Sequence, residues 1–228
     1  VQPVAEIVEA CRSRGTLVHV DACASVGSLP LAFVALGADL CSITAHKMGG
    51  PKGVGALLVR RGLRLPPLIL GGAQERARRG GVENVAAAVG FGAVAAELAS
   101  GVLDREAAAL RALTERVIDA APSMAPGVHL YGDPVDRLPG LVCLAVAGVE
   151  AEPIVLGLDR LGIAVHSGSS CSSESFEPSP VLAAMGVDAQ HSLRVSGGWS
   201  STEADIDALL DALPQVIAKL RALRSDQT

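Results

Sequence analysis

The chain has 228 residues, half of them hydrophobic and 19% charged, with a net charge of −5. It can therefore bury a sizeable core, and its length allows one large domain or two small ones. Its 2% of aromatic residues argue against a base-stacking surface, and no basic run stands out beyond Arg76 to Arg79, so no nucleic-acid or anionic-membrane partner is expected.

Five cysteines lie scattered without a CxxC pair. That odd count argues against a disulfide framework or a zinc knuckle and fits a reducing cytoplasm. No apolar run approaches the roughly 20 residues that span a bilayer, and no charged-then-apolar signal opens the chain. The first residue is Val and a helical pattern starts almost at once, so the sequence reads as beginning inside a longer protein.

Val4, Ile7, Val8 and Cys11 repeat at helical spacing, and Gly15 closes that helix. The apolar run Thr16 to Val20 predicts a strand that delivers Asp21 to its end. Phe33 to Leu36 reads as a helical turn, with strands at Asp39 to Ile43 and Val54 to Val59. This alternation predicts βαβ-like units on a largely parallel sheet. Ser42 to Gly53 runs from a strand into a glycine- and proline-rich loop that presents His46 and Lys47 at the sheet's end. Ligands collect beyond the carboxyl ends of strands in open α/β sheets, and a desolvated lysine there becomes an amine nucleophile. Asp21 after one strand and Lys47 after the next are the carboxylate and amine that a pyridoxal phosphate site needs. The same pair would equally serve as a capping aspartate and an exposed lysine.

Leu65 to Leu70 is apolar and interrupted by proline, which suits an edge or crossing segment. Gly71 to Gly81 is polar, basic and bracketed by glycines that would let backbone amides approach an anion; a solvated loop has the same composition. Glu83 to Ile118 is helical and alanine-rich, broken near Ser100-Gly101. Pro122 to Gly127 marks a boundary. Strands at Val128 to Tyr131, Leu141 to Val146 and Ile163 to His166 then alternate with helices at Pro153 to Leu161 and Pro180 to Met185, a smaller α+β layer. The terminal helix starts at Ser201-Thr202-Glu203, and Pro214 is expected to kink it. The domain organisation read from this pattern is 1–100, a connecting helical region 101–124, and 125–228.

Two further features carry chemistry. Ser167 to Ser175 is a polar loop with one thiol, Cys171, whereas Cys41 and Cys143 sit in strand runs and read as inert core residues. Arg194 lies mid-strand in Ser192 to Ser196, where a cation must face solvent or bind something; a bidentate guanidinium suits a substrate carboxylate.

His19-Val20-Asp21-Ala22, Thr44-Ala45-His46-Lys47 with Gly50-Pro51-Lys52-Gly53, Gly71-Gly72 with Gln74-Glu75-Arg76, and Ser167 to Ser173 together resemble the cysteine desulfurases of the NifS/IscS group. These are class V aminotransferase-like enzymes of pyridoxal-phosphate fold type I. The resemblance implies the back half of a mostly parallel-sheet α/β large domain plus a smaller α+β domain. It implies that Lys47 holds pyridoxal 5'-phosphate covalently and shuttles protons. Asp21 would keep the ring nitrogen protonated, Thr44 and His46 would bind the phosphate, and Arg194 would hold the carboxylate of L-cysteine. The Cys171 thiolate would attack the substrate sulfur, leaving a persulfide and releasing alanine. Sulfur would then pass to an acceptor such as an iron-sulfur scaffold protein, within a full-length homodimer.

A resident metal is not implied; a transient iron-sulfur ligand role for Cys171 stands beside the persulfide role, though one cysteine cannot hold a cluster. The sequence departs from the family where a glutamine is replaced by Ala24 and a threonine by Val82, and the family's N-terminal part is absent. Each lost hydrogen bond is expected to weaken cofactor binding by ~1 kcal/mol or more. A selenocysteine lyase, an aminotransferase or a non-catalytic remnant of the fold are the rival readings.

Overall fold

The computed structural model describes residues 1–168 and 179–225. The chain divides into two compact units, Val1–Arg105 and Glu106–Thr228.

The first unit is built on a three-stranded sheet, β1 (His19–Asp21), β2 (Leu40–Thr44) and β3 (Gly55–Val59), in the order β1-β2-β3. β1 runs parallel to β2 with Asp21 opposite Ser42, and β2 runs antiparallel to β3 with Thr44 opposite Gly55. Strand-helix alternation predicts a largely parallel sheet, but among the described strands of this sheet only the β1–β2 pair is parallel, because β3 follows β2 through a turn rather than a crossover helix. Helices α1 (Val4–Arg12) and α2 (Phe33–Leu36) flank β1 in sequence. Leu65 to Leu70 forms no strand. Its two prolines cannot donate to a ladder.

Asp39 ties one end of this sheet together. Its Oδ2 accepts the Val18 N–H at 2.8 Å and its Oδ1 accepts Arg60 Nε–H at 2.7 Å. Its backbone N–H donates to the Val18 carbonyl at 3.0 Å, and its own carbonyl accepts the Arg60 N–H at 2.9 Å. One residue thus joins the segments leading into β1 and β2 to the segment leaving β3.

Residues 71–81 take a conformation that composition does not announce. Gly71 and Gly80 meet backbone to backbone: a Cβ on Gly80 would lie 2.7 Å from the Gly71 Cα. The glycines therefore pinch the loop shut. Inside it, the short turn α3 (Gln74–Ala77) carries Glu75, Arg76 and Ala77 at φ of 49°, 58° and 61°, left-handed values that cost non-glycine residues energy.

Helix α4 (Val85–Glu97) is capped by Asn84, whose side chain accepts the Ala87 N–H at 3.1 Å. A π turn at Leu98–Val102 with Gly101 at φ 93° joins it to α5 (Leu103–Met124). The break predicted at Ser100-Gly101 is therefore a local rewinding, and α5 continues through Pro122 where a boundary was expected. The helical run Val85–Met124, 40 residues, is long and apolar enough by length and composition to cross a membrane, and its most apolar window is only 6% buried. This corrects the expectation that no segment approaches that length: alanines between the larger residues make the run continuous once the π turn is counted as helix.

The second unit has a wholly antiparallel sheet in the order β4 (Val128–Tyr131), β5 (Leu141–Val146), β7 (Ser192–Ser196), β6 (His166–Ser167). Strand alternation decides its two faces. Val142, Leu144 and Val146 of β5 and Leu193 and Val195 of β7 enter a core with Val117 of α5, Ile154 and Leu158 of α6 (Ala151–Asp159), and Leu213 and Ile217 of α8 (Glu203–Ser225). The other face carries His129, Tyr131, Cys143, Ala145 and Arg194. α7 (Pro180–Ala184) is capped by Ser179. At the start of α8, the Asp205 carboxylate accepts the Thr202 N–H at 2.8 Å while Thr202 Oγ1 accepts the Asp205 N–H at 3.4 Å, a reciprocal capping box. α8 remains helical through Pro214.

The Asp39 carboxyl is held below its ordinary pKa, first by the Val18 N–H and then by Arg60. A depressed folded pKa contributes stability that is present above the unfolded value of about 4 and is lost as pH falls through the folded value. Urea unfolding of the chain at a series of acidic pH values should therefore show a fall in stability that Asp39→Ala flattens. An acid limb identical in the variant would mean that the tie contributes nothing.

Candidate cofactor site

Asp21 is the last residue of β1 and Thr44 the last of β2, and because these strands are parallel both leave the sheet at the same edge. A 3-10 turn, Ala45–Lys47, follows β2 directly and carries His46 and Lys47 beyond that edge. Ala45, wholly buried, anchors it, and its carbonyl accepts the N–H groups of Met48 and Gly50 at 3.0 and 2.9 Å. The turn after β1 is pressed against the same segment: Gly27, at φ 80°, leaves room for Met48, whose Cβ would lie 2.7 Å from a Cβ at position 27.

The side chains at this edge are linked in pairs. Asp21 Oδ1 accepts the Cys23 N–H at 2.9 Å, an Asx turn that aims the carboxylate. Thr44 Oγ1 and His46 Nδ1 share a hydrogen bond at 2.9 Å, and His19 Nε2 and Ser42 Oγ another at 2.8 Å. The Asp21 carboxyl is held below its usual pKa, chiefly by the Cys23 N–H and then by the Cys23 thiol, with His19 adding to the effect. The Cys23 thiol is pushed up, first by its hydrogen bond to Asp21, then by burial and by the Asp21 charge, while Lys47 pulls it down. Asp21 and Lys47 thus act on one thiol from the same edge of the sheet.

Asp21, His46 and Lys47 are all exposed. The described part of this unit therefore does not supply the desolvation expected around the lysine. Ala24 and Val82 are exposed as well. The donor set nonetheless fits pyridoxal phosphate: an amine for its aldehyde, a carboxylate kept ionised for its ring nitrogen, and a hydroxyl–imidazole pair for its phosphate.

In the second unit Arg194 stands on the sheet face away from the core, opposite Cys143 of β5 and His166 of β6. The Cys143 thiol is only partly buried; burial pushes its pKa up and the Arg194 charge pulls it down. Cys143 is therefore not the inert core residue its strand context suggests, because period-two alternation turns it to the arginine's side. Cys41 is fully buried, as expected. Cys171 and its neighbours lie outside the described residues. Composition gave no weight to Cys23; the Asp-x-Cys spacing, an Asx-turn signature, is the signal that finds it.

Residues 1–209 match the family model described as aminotransferase class-V. The chain belongs to that family. It is 44% identical over 226 residues to a cysteine desulfurase IscS 1 from Archaeoglobus fulgidus, covering 98% of this chain and 58% of that protein. It is 43% identical over 224 residues to a cysteine desulfurase from Gluconacetobacter diazotrophicus, covering 97% of this chain and 56% of that protein. Among solved structures, a NifS-like protein from Rickettsia africae superposes with a TM-score of 0.84 at 30% identity, over 96% of this chain and 58% of that one. This class V aminotransferase chain thus spans little more than half the length of those relatives. Its fold is that of pyridoxal-phosphate fold type I, and the family's cofactor is pyridoxal 5'-phosphate.

Because Asp21 is the chief cause of the raised Cys23 pKa, Asp21→Asn should bring that pKa down and let Cys23 ionise at lower pH. The pH profile of Cys23 alkylation by iodoacetamide, read by peptide mass spectrometry, should move to lower pH in the variant. A profile that stays in place would break the link between carboxylate and thiol.

Proposed function

We propose that this chain carries the amine, the carboxylate and the thiol of a pyridoxal-phosphate-dependent cysteine desulfurase, converting L-cysteine to L-alanine and passing the sulfur to an acceptor protein. The observation that supports this reading is that Asp21 ends β1 and the turn bearing Lys47 follows β2, so that both leave the same carboxyl edge of a parallel strand pair. Relatives named cysteine desulfurase, matching nearly the whole chain, support it. When bound, pyridoxal phosphate supplies an electron sink for the carbon skeleton of the amino acid.

The protein's own groups then have separable tasks. Lys47 provides the amine that holds the cofactor and can take up and return a proton at its Nζ. Asp21, kept ionised by its Cys23 N–H bond, would pair with the cofactor's ring nitrogen. Thr44 and His46, already paired, offer a hydroxyl and an imidazole to the phosphate. Arg194 is assigned to the substrate carboxylate, as a planar donor fork suits that group. The Cys171 thiolate attacks the sulfur of the substrate: a sulfur–sulfur bond forms, the substrate's carbon–sulfur bond breaks, and the electron pair and a proton end on the carbon that becomes the methyl of alanine. Cysteine plus a protein thiol thus gives alanine plus a protein persulfide. Covalent capture keeps the sulfur from escaping as sulfide before an acceptor, such as an iron-sulfur scaffold, receives it.

The four cysteines among the described residues, Cys11, Cys23, Cys41 and Cys143, are free. This suits the reducing cytoplasm we assign to the protein, and a homodimer is the assembly we assign to its full-length form.

Incubation with pyridoxal phosphate, borohydride reduction and peptide mapping should place a pyridoxyl group on Lys47 and none in Lys47→Ala. Cofactor absorbance from the 228-residue chain should be weak, since Ala24 and Val82 carry no hydrogen-bonding side chains. In a form that turns over, Cys171→Ala should keep the cofactor and lose sulfur transfer from cysteine. An unmodified Lys47 would leave the remnant reading in place, and retained sulfur transfer without Cys171 would overturn the desulfurase mechanism.

A further inference from the structure

The second unit contains a cavity of about 260 Å³ that the proposed reaction does not use. Its hollow exists because Ala145, at the end of β5, and Ala147 and Gly148, in the turn that follows, project nothing beyond a Cβ. Around that hollow stand His129 and Tyr131 from β4, Asp188 and His191 from the loop ahead of β7, and Arg224 from the last turn of α8. Five polar side chains from three separate parts of the chain thus converge on one small space.

Hydrogen bonds define what this set can bind. Asp188 is committed to its own loop: Oδ2 pairs with His191 Nδ1 at 2.7 Å, and Oδ1 accepts the N–H groups of Gln190 and His191 at 3.1 and 3.4 Å. Its carboxyl is accordingly held below the usual range, chiefly by His191. That pairing fixes the imidazole and leaves Nε2 as the nitrogen available to a ligand; in the protonated ring both nitrogens donate, one to Asp188 and one outward. Arg224 spends one donor on the Gly148 carbonyl at 2.9 Å, which holds its guanidinium at the rim. His129 and Tyr131 stand edge to face, with ring centroids 5.3 Å apart and an 85° angle. The imidazole and the phenol add two more donors.

The balance is donor-rich, with the single carboxylate already occupied, and that favours an anion over a cation. A metal is the alternative for two histidines and an aspartate, but the described residues contain no group of three His, Cys, Asp or Glu placed to hold one. We infer that this cavity is a binding site for a small ligand with an oxyanion head, phosphate or carboxylate, held by Arg224, His191 and His129 with Tyr131 as an auxiliary donor. Charge-assisted hydrogen bonds from a guanidinium are the strong kind, and a cavity of this size admits the head group with a short tail.

The inference is independent of the cofactor reading, and histidine side-chain NMR of the 228-residue chain separates the two. Inorganic phosphate and acetate are titrated against chloride at matched ionic strength, with the five histidines assigned by single substitution. Signals from His129 and His191 should shift saturably while His166, in the same unit, does not. His46 reports separately on the cofactor edge. Arg224→Gln should weaken the phosphate response at His129 and His191 by about tenfold, the loss of one charge-assisted hydrogen bond, and His191→Gln should weaken the response at His129. Tighter binding of phosphate assigns a phosphorylated ligand, and tighter binding of acetate assigns a carboxylate. No saturable shift at His129 and His191, or a response unchanged in both variants, overturns the site.

Discussion

Parallel pairing of β1 with β2 is the constraint from which the candidate cofactor site follows. Two parallel strands end on the same edge, so Asp21 and the turn bearing Lys47 are brought together although 25 residues separate them in the chain. An antiparallel pair of the same sequences would place the carboxylate and the amine at opposite ends. What holds the register is at the far end, where Asp39 accepts from Val18 and Arg60 and thereby joins the entries of β1 and β2 to the exit of β3. Structure is secured at one end and chemistry is presented at the other. The close packing of Gly27 on Met48 transmits that register to the two turns themselves.

The second unit solves a different problem with antiparallel strands. Its sheet devotes one face to apolar packing against α5, α6 and α8, which leaves alternate residues of every strand for polar work. Arg194 is tolerable mid-strand for this reason: its neighbours across the sheet, Cys143 and His166, lie on the face that the core does not claim. The same alternation sets Ala145 beside His129 and creates the small cavity at the β4 edge. A charged residue on the core face would have faced a desolvation cost that no partner there could offset.

Legibility in the sequence tracked the range of the interactions involved. β4 and β5 are read to the residue because alternation and turn signals are local, and the interruption near Gly101 is visible because a glycine in an alanine-rich helix is conspicuous. β1 starts three residues later and ends one residue later than its apolar run predicts, since the residues ahead of it are as strand-like as the strand itself. The antiparallel β2–β3 pairing, the left-handed run Glu75 to Ala77 and the contact of Gly71 with Gly80 depend on where the backbone closes on itself, which no periodicity encodes. Asp21, Thr44, His46 and Lys47 could be named because ordered motifs carry them. His129, Tyr131, Asp188, His191 and Arg224 could not, because they meet only after three separate segments have folded and none of them forms a motif alone.

Cys23 gives Asp21 a second consequence under the desulfurase reading. A thiol close to a lysine that is meant to engage an aldehyde is a competing nucleophile, and thiolates react faster than thiols. The lysine's positive charge acts to lower the pKa of that thiol, which on its own would make the competition worse. Asp21 reverses the balance by hydrogen bonding and by its charge, so that Cys23 stays protonated while the carboxylate stays ionised. One side chain thereby favours the amine over the neighbouring sulfur and keeps its own negative charge for the ring nitrogen. The reactive thiol of the mechanism can then be the one at position 171.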